Sequence, residues 1–137
     1  MATIGNLIWF VFLGGFLTGV GWLLAGAILC VTIIGIPFGT ACFRISSFAF
    51  FPFGKEIVDA RALGERRIAG TTFANVLWFV LAGVWLAIAH LAAALACLAS
   101  CLLVFPIFLG APAWAVAHFN LAKVSFAPLG MRIIPKR

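Results

Sequence analysis

Charged side chains are missing from two long stretches of this chain, residues 1–43 and 68–122, and are confined to what lies between and after them. Each stretch far exceeds the roughly 18 apolar residues that nominate a helix crossing a bilayer. The pattern therefore predicts lipid, rather than water, as the solvent.

The two stretches are related. Shifting the sequence on itself by 69 positions lays Asn6, Trp9, Phe10 and Val11 on Asn75, Trp78, Phe79 and Val80, and carries Gly14 onto Gly83 and Pro37 onto Pro106. Between residues 6 and 37, ten of 32 positions are then identical, a density that marks an internal duplication. Past the proline the shift becomes 76, setting Ala41, Phe43, Arg44 and Ile45 on Ala117, Phe119, Asn120 and Leu121, and Pro52 and Gly54 on Pro128 and Gly130. The second copy thus carries seven extra residues, within 107–113.

Each copy predicts a long apolar helix (residues 6–36 and 75–105), a Pro/Gly break, and a shorter helix closing on Pro52-Phe53-Gly54 or Pro128-Leu129-Gly130. Thirty helical residues reach about 45 Å, more than a hydrocarbon core of ~30 Å, so tilting or kinking is expected. The predicted fold class is an all-α membrane protein of two tandem parallel repeats, each a long tilted transmembrane helix, a break, and a shorter spanning or re-entrant helix. The segments are 1–54, a first membrane repeat; 55–72, a charged linker; and 73–137, a second repeat with a basic tail.

Small residues four apart let helices approach closely in lipid, which nominates Gly15 with Gly19 and Ala92 with Ala96 as packing positions. Asn6 and Asn75 stand where the long helices start and are expected to cap them. Trp9 and Trp78, a turn further on, are expected in the aromatic belt at headgroup level.

Topology follows from the basic residues. Lys55, Arg61, Arg66 and Arg67 lie in the linker, and Arg132, Lys136 and Arg137 in the tail. The positive-inside rule places both segments in the cytoplasm. Each copy then leaves the membrane on the side it entered, the copies run parallel, and the N-terminus is cytoplasmic too. Inverted-repeat transporters differ, because their halves face opposite ways.

Composition agrees with the pattern: 66% of the 137 residues are hydrophobic, and the mean hydropathy is +1.26. The net charge of +6 is not arranged as a basic stripe with interleaved aromatics, so anionic lipid headgroups rather than nucleic acid are the expected partner. Cys30, Cys42, Cys97 and Cys101 all fall in apolar stretches, unlike a disulfide framework in polar loops. The uncharged start and the long apolar run after it do not fit a cleaved signal, so the N-terminus reads as retained.

The order Asn6-x-x-Trp9-Phe10, then Gly35-Ile36-Pro37-Phe38-Gly39, then Ala41-x-Phe43-Arg44-Ile45, then Pro52-Phe53-Gly54-Lys55 resembles the YccF family. These are small bacterial inner-membrane proteins with a duplicated inner-membrane component domain. The resemblance runs from about residue 6 to residue 134. It implies an inner-membrane location and the duplicated architecture, and brings no catalytic activity with it. The second copy departs from the pattern: Pro106 lacks the flanking Gly-Ile and Phe-Gly, and Asn120 replaces Arg44.

Ionisable groups in apolar surroundings are costly, so Arg44, His90, His118 and Lys123 are the first candidates for function. Arg44 either lines a polar seam that binds an anion or reaches to the headgroups; for Lys123 the headgroup reading is preferred. His90 shares a helix face with Ala94, Cys97 and Cys101, but this reading finds no second histidine or carboxylate near it, and no metal site is assigned. His118 is expected near the start of the last helix, in a structural role.

Broken helices expose backbone groups that lipid cannot satisfy, which makes Gly35, Pro37, Gly39 and Pro106, with Arg44 and Asn120, the candidate pore or ion-contact residues. A plain turn outside the cytoplasm is the alternative. The sequence shows no paired carboxylates, activated nucleophile, metal cluster or phosphate loop, so no enzyme and no cofactor are expected. Two functions remain: a homo-oligomeric ion channel or transport-type assembly, favouring anions because carboxylates are scarce, and a membrane scaffold whose charged linker docks a protein partner.

Overall fold

The computed structural model describes residues 2–66, 68–103 and 111–136. Arg67, Pro106, Arg137 and the first part of the 107–113 insertion lie outside these residues.

The first long helix expected from the sequence is two helices, α1 (Ala2–Phe12) and α2 (Gly15–Cys30), meeting at 75°. The corner is made by Gly14, whose φ of 80° is a conformation that glycine adopts without a Cβ clash. Next to it, Gly15 lies so close to Trp9 that a Cβ there would sit 2.3 Å from the indole. The counterpart of Gly15 is Val84, which cannot enter such a corner. In the second copy α4 (Thr71–Trp78) instead passes through a wide helical turn at Phe79–Gly83 into α5 (Val84–Leu103). Residues Thr71–Ser100 thus form one apolar helical stretch of 30 residues, long enough to cross a bilayer. The first copy turns a corner at Gly14 and the second passes through a bulge, with Val84 standing where the first copy has Gly15.

Pro37 lies in the first turn of α3 (Ile36–Phe50), where its missing N–H has no partner to lose. The expected break is therefore the turn at residues 31–35. Gly35 donates its N–H to Thr32 Oγ1 at 3.0 Å, so the backbone of this turn is satisfied locally. From the turn α3 runs back along α2. Gly39 meets Gly26, whose carbonyl would be 2.7 Å from an added Cβ, and Gly19 lies under the ring of Phe50. The second hairpin is α5 with α6 (Ala111–Phe126), joined face to face where Gly83 meets the carbonyl of Ser125 and where the buried Ala87 and Ala94 lie on α5. Ala92 and Ala96, nominated for packing, point outward instead.

The all-α expectation needs one correction. β1 (Lys55–Asp59) pairs antiparallel with β2 (Met131–Pro135), from Lys55 opposite Pro135 to Asp59 opposite Met131. The β-branched Ile57, Val58, Ile133 and Ile134 suit a ladder. Beyond its ends, Lys136 N–H donates to Gly54 O at 2.9 Å and Ala60 N–H to Gly130 O at 2.8 Å. The linker and the tail are thus one piece of structure.

Asn6 and Asn75 are not caps, since each lies a turn inside its helix. Asn6 grips the chain returning from α3: its Nδ2 donates to Phe53 O at 3.0 Å and its Oδ1 accepts from Phe53 N–H at 2.9 Å. Asn75 does the same to Leu129, at 3.0 Å in both directions. Nor do the matched tryptophans form a headgroup belt. Both are buried, Trp9 donating to Ala49 O at 2.7 Å and Trp78 to Ser125 O at 2.9 Å. Around them Trp22, Phe38, Trp114, Leu121 and Val124 complete the core. The outer surface is apolar: Leu17, Ile28, Leu81 and Trp85 are each more than two-thirds exposed. Such a surface is stable only against hydrocarbon.

Candidate functional site

Where the two copies meet on the strand side, a cavity of about 640 Å³ opens. One wall is the face of α3 that carries Pro37, Thr40 and Arg44, spaced three and four residues apart as one helix face requires. Opposite stand Thr71, Ala74 and Asn75 at the start of α4. The floor is the linker after β1 and the approach to β2.

Among the described residues six charged side chains line it: Arg44, Asp59, Arg61, Glu65, Arg66 and Arg132. Two arginines are matched to carboxylates. Arg61 holds Asp59 with Nε to Oδ1 at 3.1 Å and Nη2 to Oδ2 at 2.9 Å. Arg132 holds Glu65 with Nε to Oε1 at 2.9 Å and a second bond from Nη2 to Oε2. Planar forks of this kind fix geometry, although pairs this exposed contribute little stability. Arg44 is different. Its Nε is buried and has no hydrogen-bond partner. No neighbouring hydroxyl accepts from it; Thr40, Ser46 and Ser47 donate their own protons to carbonyls of their helix. Arg132 repels Arg44 and Glu65 attracts it. With two arginines neutralised, Arg44 and Arg66 leave the cavity positive.

Not all the candidate residues join this site. Gly35 and Gly39 face α2, where an added Cβ would lie 2.0 Å from Leu29 O and 2.4 Å from Cys30 Sγ, so they are packing positions. Asn120 is half-buried on α6 and is not part of the cavity wall. Pro106 lies outside the described residues. Of the basic residues assigned to the cytoplasm, Lys55 donates to Ser47 O at 2.6 Å, and burial holds its amine below the ordinary lysine value. Lys136 is exposed after β2.

Sequence reading missed two things. It found no partner for His90, yet His118 lies midway along α6 with its Nδ1 3.4 Å from Nδ1 of His90. Trp22 Nε1 donates to Nε2 of His90 at 3.4 Å, which leaves His90 its proton on Nδ1 to share with His118. The signal was the α5–α6 hairpin, since the two histidines lie equally far from Gly83 and Ser125 along their helices. Among the described residues no third ligand joins them to hold a metal. The second omission is Glu65 with Arg132, brought together only by the strand pair.

The YccF inner membrane component domain matches this chain over two segments, residues 4–55 and 73–131. The chain is 32% identical over 139 residues to the inner membrane protein YccF of Escherichia coli (strain K12), covering 98% of this chain and 88% of that one. The protein of the same name from Shigella flexneri is similar to the same extent. No solved structure matches.

Proposed function

Starting from the fact that the chain belongs to the YccF family of inner-membrane proteins, we propose that it takes up an anion at Arg44 and that several copies assemble into an anion-conducting unit. The observation that carries this reading is the buried, unpartnered Nε of Arg44 in a cavity where Asp59 and Glu65 are held by Arg61 and Arg132. A guanidinium held in a partly desolvated wall attracts anions and repels cations. Two helical hairpins are too few to enclose a conduit, so conduction needs further copies.

The same reading extends to topology. The paired β1 and β2 are consistent with a linker and tail on one side, and their arginines favour the cytoplasm. The matched bonds of Asn6 and Asn75, and of Trp9 and Trp78, support two parallel copies of one unit.

Ion flux into liposomes holding the purified protein tests conduction. Wild-type protein is expected to pass a halide or a larger anion, and Arg44→Ala to lower that flux by about tenfold, roughly the loss of one charge-assisted hydrogen bond. No flux from inserted, oligomeric protein under any gradient would remove the channel. A second reading, a scaffold, is favoured by the ordered linker, which presents Arg61 and Arg66 on an exposed surface. There, reversing the charge of Arg61 and Arg66 is expected to abolish co-purification of a protein partner while leaving the fold unchanged.

A further inference from the structure

We infer that the ligand of the Arg44 cavity is a phosphate ester of net negative charge, carried by a lipid headgroup or by a small soluble molecule. This rests on the reading of Arg44 as an anion contact and does not depend on conduction.

Size is the first argument. At about 640 Å³ the cavity falls in the range of small-molecule sites, and it is far larger than a bare halide requires. Charge is the second. Two cations, Arg44 and Arg66, remain after Asp59 and Glu65 have taken their partners, and the fork of Arg44 matches two oxygens of one phosphate. The wall facing them adds to this. α4 opens at Gly70 without a side-chain cap and continues into the 30-residue stretch, so the positive end of a long helix borders the same space.

The lining is also mixed. Beside the arginines lie Pro37, Ile68, Ala74 and Met131, which offer nothing to a hydrated inorganic ion but suit the glycerol and first methylenes of a lipid. Depth agrees. Arg44 is six residues before the end of α3, about 9 Å from it at the helical rise. That is headgroup depth for a helix ending at the membrane surface. Basic pockets between helices at this level hold phosphate headgroups.

The second copy differs at the matching position. Asn120 occupies the position of Arg44, so the guanidinium contact belongs to the first copy.

Native mass spectrometry of the full chain in detergent tests the inference with three probes: dioctanoyl phosphatidylglycerol, the zwitterionic dioctanoyl phosphatidylcholine, and glycerol 3-phosphate. Wild-type protein is expected to bind the first at least tenfold more tightly than the second. Arg44→Gln is expected to lose about tenfold, Arg44→Lys less, and Asn120→Gln nothing. Glu65→Gln frees Arg132 beside Arg44 and is expected to tighten binding severalfold, a gain that no loss of fold produces. If glycerol 3-phosphate competes at equal concentration, the source is a soluble ester; if it does not, the source is lipid.

Equal binding of the two lipids, or no change in either Arg44→Lys or Glu65→Gln, overturns the inference even if Arg44→Gln fails to fold. Binding without flux retires conduction and leaves this site in place. Arg44-dependent flux without phosphate binding retires this inference and leaves the channel.

Discussion

The firmest demand of this structure is that Asn6 and Asn75 do equal work. Replacing Asn6 with Ala deletes two hydrogen bonds, to Phe53 O at 3.0 Å and from Phe53 N–H at 2.9 Å. A net hydrogen bond is worth about 1 kcal/mol, and a buried group left without a partner costs about 1–3 kcal/mol. Asn6 is half-buried and water reaches part of this site, so the expected loss is about 2–4 kcal/mol. Asn75→Ala deletes the same pair of bonds to Leu129 at the same distances and should cost the same. Asn6→Asp tests the geometry further, because it keeps the acceptor for Phe53 N–H but sets a carboxylate oxygen against Phe53 O. It should be at least as damaging as Ala. Equilibrium unfolding in mixed micelles, followed by tryptophan fluorescence, reads these differences, since Trp9 and Trp78 lie in the adjoining turns. A loss below about 0.5 kcal/mol at either position, the scale of an ordinary surface substitution, would refute the reasoning.

The corner and the close helix contacts separate strain from collision. Gly14→Ala meets no atom within 4 Å but forces a side chain to φ 80°, and is expected to cost about 1–2 kcal/mol. Gly19→Ala puts a Cβ 2.3 Å from the Phe50 ring and is expected to cost about 1–3 kcal/mol through repacking of α2 on α3, both losses being read from the same unfolding curves. Lys55 supplies a pH dependence: its folded value lies below the ordinary 10.5, so the unfolded chain binds more protons near that pH and stability rises as pH climbs through this window. Lys55→Met should flatten that rise in unfolding curves taken between neutral and alkaline pH, and an unchanged slope would show that other groups cause it.

Much of the architecture was readable because membrane insertion is decided by composition over long windows. The charge-free stretches, the duplicated pattern and the proline at the head of α3 need only local chemistry. What escaped reading depends on contacts between distant residues. Asn6 looks like a cap from its neighbours, and only the return of Phe53 makes it a clamp. Trp9 looks like a belt residue until α3 brings Ala49 O to its indole N–H. Gly14 and Gly83 align, yet one turns a corner at φ 80° and the other stays helical, a difference the shared glycine does not announce. The site was half visible: Arg44 stood out as a cation in apolar sequence, but its cavity needs Glu65 and Arg132, which are 67 residues apart. The glycines Gly35 and Gly39 misled because a glycine fitted for close packing and one fitted for ion contact read alike.

The strand pair also sets a timetable. β1 is synthesised with the first hairpin, but its partner residues follow 72 (131 − 59) to 80 (135 − 55) positions later, after the whole second hairpin. Until then Ile57 and Val58 carry a ladder edge with no neighbour, and the cavity lacks Arg132 from its floor. Contacts this distant in sequence close late in folding. The first hairpin therefore waits with an open strand edge, and the cavity around Arg44 is complete only when the start of β2, with Arg132, pairs with it.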